Sequence, residues 1–164
     1  MINTRPKITI VLDNLRSAHN TGNIFRIADA VGAYEIIACG YTPYPPHPKL
    51  EKTAMGSDKY VKYRHFETSL EAVMALREEA YKMILAVETG SDAICAWQKK
   101  YEFPLALVFG NEAFGIKQNT IDSCDGIISL PMFGKKISIN VGNCAAVVLY
   151  SIISKLYSTR INDI

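Results

Sequence analysis

The sequence predicts an α/β fold, a mainly parallel sheet with helices on both faces. Three observations carry this. Short apolar runs of strand length, at residues 8–12, 35–39, 83–87 and 105–109, alternate with stretches whose apolar residues recur at helical spacing. The runs are apolar at nearly every position rather than every second one, as in strands covered on both faces. No internal repeat, low-complexity tract or linker interrupts the order, so residues 1–164 are expected to form a single domain with no substantial extension at either end.

In chain order, residues 8–12 (ITIVL) read as a buried strand. Residues 20–33 read as a helix, with Asn20 or Thr21 as cap, Ile24, Ile27, Ala28 and Val31 on one face, and Gly32 at its end. Residues 35–39 form a second strand. Pro43, Pro45, Pro46 and Pro48 then keep most of 40–58 out of regular structure, and so long a loop in a compact domain points to function or disorder. A short strand is expected around Tyr60–Tyr63. A helix is expected over Ser69–Lys82, with Leu70, Val73, Met74 and Leu76 toward the core. Strand 83–87, a short helix near 92–99, strand 105–109, a helix near 117–124 and strand 127–130 follow. The last helix, about 143–158, is apolar around its whole circumference and must be covered on all sides. In a chain of this length, one face against the sheet and another against a second subunit would do so, which predicts a homodimer; a helix deeply buried within a monomer is the alternative.

Composition excludes several classes. No apolar run reaches the ~18–20 residues that span a bilayer, and the start Met1–Lys7 has no signal-peptide core behind it. A soluble cytoplasmic protein is expected, with no membrane partner. Cys39, Cys95, Cys124 and Cys144 are widely spaced, and His19, His47 and His65 lack ligand spacing, so no metal is expected. The net charge of +2 is small. Its distribution is uneven: Gly126–Asn162 holds Lys135, Lys136, Lys155 and Arg160 with no acid, and 49–64 holds five bases against Glu51 and Asp58. Both stretches suit phosphates, though ordinary solvated lysines explain either alone.

Ligands of open α/β sheets bind beyond the carboxyl ends of the strands. Four such ends are rich in Gly and polar residues: 13–22 (DNLRSAHNTG), 88–92 (ETGSD), 110–115 (GNEAFG) and 130–143 (LPMFGKKISINVGN). The 110–115 loop is not a phosphate loop. Ile116 intervenes before Lys117, and Glu112 puts a carboxylate where phosphates would sit. No G-x-G-x-x-G occurs, which removes the fingerprint of a nucleotide-dependent oxidoreductase. The glycines instead permit close approach to an uncharged or cationic ligand, or simply a tight turn. Ser138 and Asn140, two apart, point to one side of an extended stretch; they can bind a hydroxyl or an amino-acid moiety, or cap local turns. Arg26 lies off the apolar face of its helix, six residues beyond Asn20. It is a phosphate grip beside a polar group, or a solvated arginine beside a cap.

Together these segments resemble the SpoU/TrmH branch of the SPOUT methyltransferases. The resemblance rests on Asn20-Thr-Gly22 through Arg26, Ala28 and Gly32, on Leu107–Ile116 (LVFGNEAFGI), and on Leu130–Val141 (LPMFGKKISINV) leading into the apolar helix. It covers about residues 8–157. It implies a deep C-terminal trefoil knot and S-adenosylmethionine held by the knot loops, with Gly110, Leu130 and Ile139 in backbone contact and Thr89 nearby. It implies a homodimer sharing an RNA site, and methyl transfer to a ribose 2′-hydroxyl of RNA, tRNA favoured over rRNA. Arg26 would activate the hydroxyl or hold the adjacent phosphate; Asn20, Glu112, Ser138 and Asn140 would orient Arg26, donor and nucleotide. A non-catalytic RNA-binding protein of the same fold is the alternative, and the presence of all five residues argues against it.

Overall fold

In the computed structural model, residues 5–161 are described, with side chains through Ser158. The side chain of Arg160 in the C-terminal basic stretch and the first four residues lie outside what is described. Seven strands, β1 (Ile8–Asp13), β2 (Glu35–Cys39), β3 (Tyr63–Phe66), β4 (Met83–Val87), β5 (Ile94–Cys95), β6 (Leu105–Phe109) and β7 (Ile127–Ser129), form one sheet in the order β3-β2-β1-β6-β4-β7-β5. Every pairing in it is parallel.

The strands sort their side chains cleanly between two cores. Ile8, Ile10, Leu12, Leu105, Leu107 and Phe109 join one cluster with Ile24, Phe25 and Ala28 of α1 (Ala18–Val31) and Leu50 of α2 (Pro48–Ala54). Ala145, Val148, Leu149 and Ile152 of α5 (Val141–Ile161) complete it. Val11, Ile37, Ala86, Ala106 and Val108 face the other way, onto Ala72, Val73 and Leu76 of α3 (Ser69–Glu78). The short α4 (Gln118–Asp122) lies beside α3. Period-two alternation on a sheet covered on both sides produces this division.

Several elements differ from expectation, each for a local reason. Helix α1 starts earlier: Ser17 is its cap, its hydroxyl accepting from Asn20 N–H at 3.1 Å, which frees the Asn20 side chain, while the Thr21 hydroxyl donates to Ser17 O at 3.1 Å. Gly32 ends it in the left-handed conformation, φ 66°. The Pro-rich stretch contains α2 because Pro48 occupies the first helical turn, where its missing N–H is no loss, and His47 caps it. Strand β3 sits three residues later than expected, held by parallel pairing to β2. Helix α3 stops at Glu78, before Ala80 at φ 60°. Its buried face uses Ala72 rather than Met74, which is exposed. The helix expected near 92–99 is instead β5 and turns, because Ile94, Cys95 and Ala96 find backbone partners along β7. Leu130 falls just outside β7.

Helix α5 is longer than expected, and its window Val141–Ser158 is long and apolar enough by length and composition to cross a membrane. Gly142, Asn143, Ser151 and Ser154 hid this by breaking the apolar run. Its buried residues 145, 148, 149 and 152 lie at i, i+3, i+4, i+7 in the core, as on an amphipathic core helix. Val147, Tyr150 and Tyr157 are exposed, so this chain alone does not cover the helix on all sides.

Helices α1 and α2 meet at Gly22. A methyl group there would fall 2.5 Å from the Leu50 carbonyl oxygen, and closer still to Thr53 Oγ1. Gly22→Ala is expected to push α2 off α1 and destabilise the protein by about 2 kcal/mol, despite alanine's better helix propensity. Thermal unfolding should fall by several degrees; an unchanged midpoint would show that the helices part without penalty.

Candidate active site

The carboxyl ends of β4, β6 and β7 open into a cavity of about 480 Å³, within the range of small-molecule sites. Its walls are the 87–89, 109–115, 129–132 and 137–144 segments. The first three follow or end β4, β6 and β7, and the fourth leads into α5, so the sheet and the last helix position the loops.

The 110–115 loop doubles back tightly. Asn111 and Gly115 exchange backbone hydrogen bonds at 3.1 and 2.9 Å. A methyl group at Gly110 would lie 2.5 Å from Gly115 C and Ile116 N. Gly115 has φ +67° and packs on the Glu88 carboxylate, which also accepts from Ile116 N–H at 3.2 Å. The two glycines are therefore required by the turn itself. Buried Asn111 fills the turn. Its Oδ1 accepts from Ala113 and Phe114 N–H, and its Nδ2 donates to Asn14 O at 2.7 Å and Tyr41 Oη at 2.9 Å. Asp13, at the end of β1, accepts from Lys117 N–H and so fastens the far end of the loop.

This turn aims Glu112 at the start of α1. Its carboxylate accepts from Arg16 N–H at 3.0 Å, Ser17 N–H at 3.2 Å and Asn20 Nδ2 at 3.0 Å. Asn20 Oδ1 in turn accepts from Asn140 Nδ2 at 3.0 Å. Asn140 Oδ1 accepts from Gly142 N–H at 2.9 Å and Asn143 N–H at 3.3 Å, at the start of α5. One hydrogen-bonded chain, Glu112–Asn20–Asn140, thus joins two helix N-termini to the loop after β6. Partial burial alone would raise the Glu112 carboxyl, but the bonds from Arg16, Asn20, its own backbone and Ser17 hold it below the usual carboxylate range. It is anionic at neutral pH and complements the α1 dipole.

The structure brings together eight of the nine residues singled out in the sequence. Glu112, Ser138 and Asn140 line the cavity, as do Thr89, Gly110, Leu130 and Ile139. Asn20 is bonded to two of them. Arg26 stands apart: it is exposed on α1 and outside the cavity wall. Sequence reasoning missed Glu88, whose carboxylate lines the cavity and accepts from Thr89 N–H at 2.9 Å. An acid at the carboxyl end of a central strand was the available signal. Cys144 also lines the cavity. Burial, with Glu88 nearby, pushes its thiol up to about 11, so it is no thiolate nucleophile at neutral pH.

The donor set defines what fits. The lining has two carboxylates, Glu88 and Glu112, and no lysine, arginine or histidine. A phosphate-bearing nucleotide is disfavoured there, and a cation is favoured. Val87, Phe109, Leu130, Met132 and Ile139 supply apolar walls, and Thr89, Ser129 and Ser138 supply hydroxyls. An adenine, a ribose and a sulfonium-bearing amino-acid chain match this mixture. Among the described residues, no group of three or more His, Cys, Asp or Glu is placed to hold a metal ion.

Residues 7–150 match the model of the SpoU rRNA Methylase family. The chain is 34% identical over 146 residues to a tRNA (guanosine(18)-2′-O)-methyltransferase from Thermus thermophilus, covering 89% of this chain and 74% of that protein. It is 31% identical to the 23S rRNA (guanosine-2′-O-)-methyltransferase RlmB of Ralstonia nicotianae, covering 88% of this chain and 57% of that one. The structure is similar to the SpoU methyltransferase AviRb from Streptomyces viridochromogenes in complex with AdoMet, with a TM-score of 0.83 and 26% identity, over 96% of this chain and 61% of that chain. The chain therefore spans less than two thirds of the length of two of these three proteins.

Proposed function

The chain belongs to the SpoU rRNA Methylase family, and from that premise we propose that it methylates a ribose 2′-hydroxyl of RNA using S-adenosylmethionine, with tRNA the first candidate substrate and rRNA the second. The observation that carries this reading is the phosphate-averse, carboxylate-bearing cavity closed by the Glu112–Asn20–Asn140 chain. When bound, the cofactor supplies a methyl group already activated by its sulfonium. The backbones of Gly110, Leu130 and Ile139 hold it, with Thr89 beside them and Glu88 offering a counter-charge.

The remaining chemistry falls to side chains. A hydroxyl is a poor nucleophile until its proton leaves or its developing charge is stabilised. Arginine keeps its proton far above neutral pH and is a poor base. Arg26 therefore stabilises charge and grips the adjacent phosphate, while Ser138 and Asn140 orient the nucleotide.

Arg26 lies outside its own protomer's cavity, on a helix that packs against α5. Val147, Tyr150 and Tyr157 leave an apolar stripe exposed on α5. Both features support a homodimer in which Arg26 of one protomer serves the cavity of the other. The order β4-β7-β5, with β6 passing between β1 and β4, supports a knotted C-terminal half. An RNA substrate of this kind supports a cytoplasmic location.

The test is to incubate the protein with labelled S-adenosylmethionine and, separately, total tRNA and rRNA from a strain lacking the gene, then map the modified nucleotide. Donor binding by calorimetry and 2′-O-methylation are expected; no binding at millimolar donor would remove the reading. Light scattering after size exclusion is expected to give a dimer, and a strict monomer would sink the shared-site arrangement. Donor binding with no methylation of either RNA would favour the non-catalytic alternative.

A further inference from the structure

Residues 41–63 connect β2 to β3 and line none of the donor cavity. Tyr41, Tyr44, Met55, Tyr60 and Tyr63 are all exposed there. Exposed Lys49, Lys52 and Lys59 are interleaved with them in the sequence. Aromatic faces mixed with cations characterise surfaces for unpaired nucleic acid, whose splayed bases stack on rings while lysines meet phosphates. Helix α2 lies within this stretch and packs against α1, the helix of Asn20 and Arg26.

Tyr41 links the stretch to the site. Its ring is 59% exposed, yet both ends of the residue are fixed. Its backbone N–H donates to Asn14 Oδ1 at 3.3 Å, and its hydroxyl accepts from Asn111 Nδ2 at 2.9 Å. Gly40 before it has φ +60° and packs directly on the Asn14 amide. Asn111 lines the donor cavity and immediately precedes Glu112. A large apolar face is thus held still in water beside the cavity. A ring already immobilised loses little further freedom when a planar partner covers it.

We propose that Tyr41 is a substrate-positioning residue, its ring stacking on an unpaired base at or next to the methylated nucleotide, with Tyr44, Tyr60 and the neighbouring lysines taking the flanking strand. The occupant is a single-stranded segment, a loop or an unpaired end. An A-form duplex keeps its base faces stacked and offers none to the ring. This inference rests on the RNA methyltransferase reading and names the form of RNA that the site accepts.

The experiment uses the full-length protein and an RNA fragment carrying the mapped nucleotide, either free in its loop or annealed to a complementary strand. The free loop is expected to be methylated and the annealed form at least about tenfold less. Tyr41→Ala is expected to raise KM for RNA about tenfold, the loss of one stacked base, with donor affinity unchanged. Tyr41→Phe and Tyr41→Trp, which keep a π-face, are expected to restore most of the wild-type KM. Should Tyr41→Ala unfold, Tyr41→Leu keeps bulk over the Asn14 turn without a π-face and is expected to show the same rise. Unchanged KM in the alanine or leucine variant overturns the assignment. Equal losses in the phenylalanine and alanine variants also overturn it, because the hydroxyl anchor would then be what matters. Equal methylation of loop and duplex overturns the single-strand requirement. Wild-type protein that methylates no RNA would instead remove the enzymatic reading on which the inference stands.

Discussion

Arg26→Ala is expected to lower turnover by about 10²- to 10⁴-fold at saturating RNA and donor, while leaving donor affinity and the unfolding midpoint unchanged. In the proposed reaction the ribose oxygen would bond to the donor's methyl carbon as that carbon's bond to the sulfonium sulfur breaks, the sulfur leaving as a neutral thioether and the hydroxyl proton passing to solvent. Negative charge develops on oxygen, and a guanidinium stabilises it more in the transition state than in the ground state. The side chain is exposed and lines no wall of the donor cavity, so its loss should disturb neither packing nor donor binding. Arg26→Lys keeps the charge without the planar fork and should recover only part of the rate. Single-turnover methylation and calorimetry separate the two quantities. Unchanged turnover in Arg26→Ala would remove the residue from the chemistry.

Glu112→Gln is expected to reduce kcat/KM by about 10²-fold, with a modest stability loss. The carboxylate accepts three hydrogen bonds that set the start of α1 and orient Asn20. Glutamine accepts through one oxygen and turns its NH2 toward the N–H groups, so the Asn20–Asn140 link loses its fixed geometry. A misplacement of about 1 Å in such a constellation is enough for the rate loss. Charge-assisted bonds contribute about 1.5–3 kcal/mol each when buried. This carboxylate is largely solvated, so about 1 kcal/mol in all is the expected destabilisation after screening. The pH dependence has a definite sign. The folded-state carboxyl is held below its unfolded value, so its contribution is complete above the unfolded carboxyl pKa and is lost as pH falls through the folded one. The stability difference between wild type and Glu112→Gln should be constant at neutral pH and shrink on acidification. A difference that grows in acid would contradict this account of Glu112.

Most of the fold was legible because buried parallel strands leave runs such as MILAV and LALVF that read the same in isolation as in the sheet. What resisted were elements decided by partners distant in sequence. Strand β5 has only two residues and exists because β7 lies beside it. Helix α2 was masked by prolines, one of which starts it. The site divides similarly. Residue types and order pointed to the cavity loops, but local spacing could not decide whether Asn140 caps a turn or serves the site. It does both: Oδ1 caps α5 while Nδ2 reaches Asn20. Ser17 rather than Asn20 caps α1, and this leaves the Asn20 amide available. The anchoring of Tyr41 by Asn111 depends on a contact 70 residues apart in sequence, which no local pattern encodes.

The Asn140–Asn20 bond joins residues separated by 120 positions. Contacts of such separation carry a large loop-closure entropy and form late. During synthesis, β1 and α1 leave the ribosome long before Asn140 is made, and until then neither Asn20 nor Glu112 has its final geometry. The segment leading into the last helix is therefore what completes the Glu112–Asn20–Asn140 chain. A polypeptide in which Asn140 has not yet reached Asn20 lacks one link of the hydrogen-bonded chain that borders the cavity.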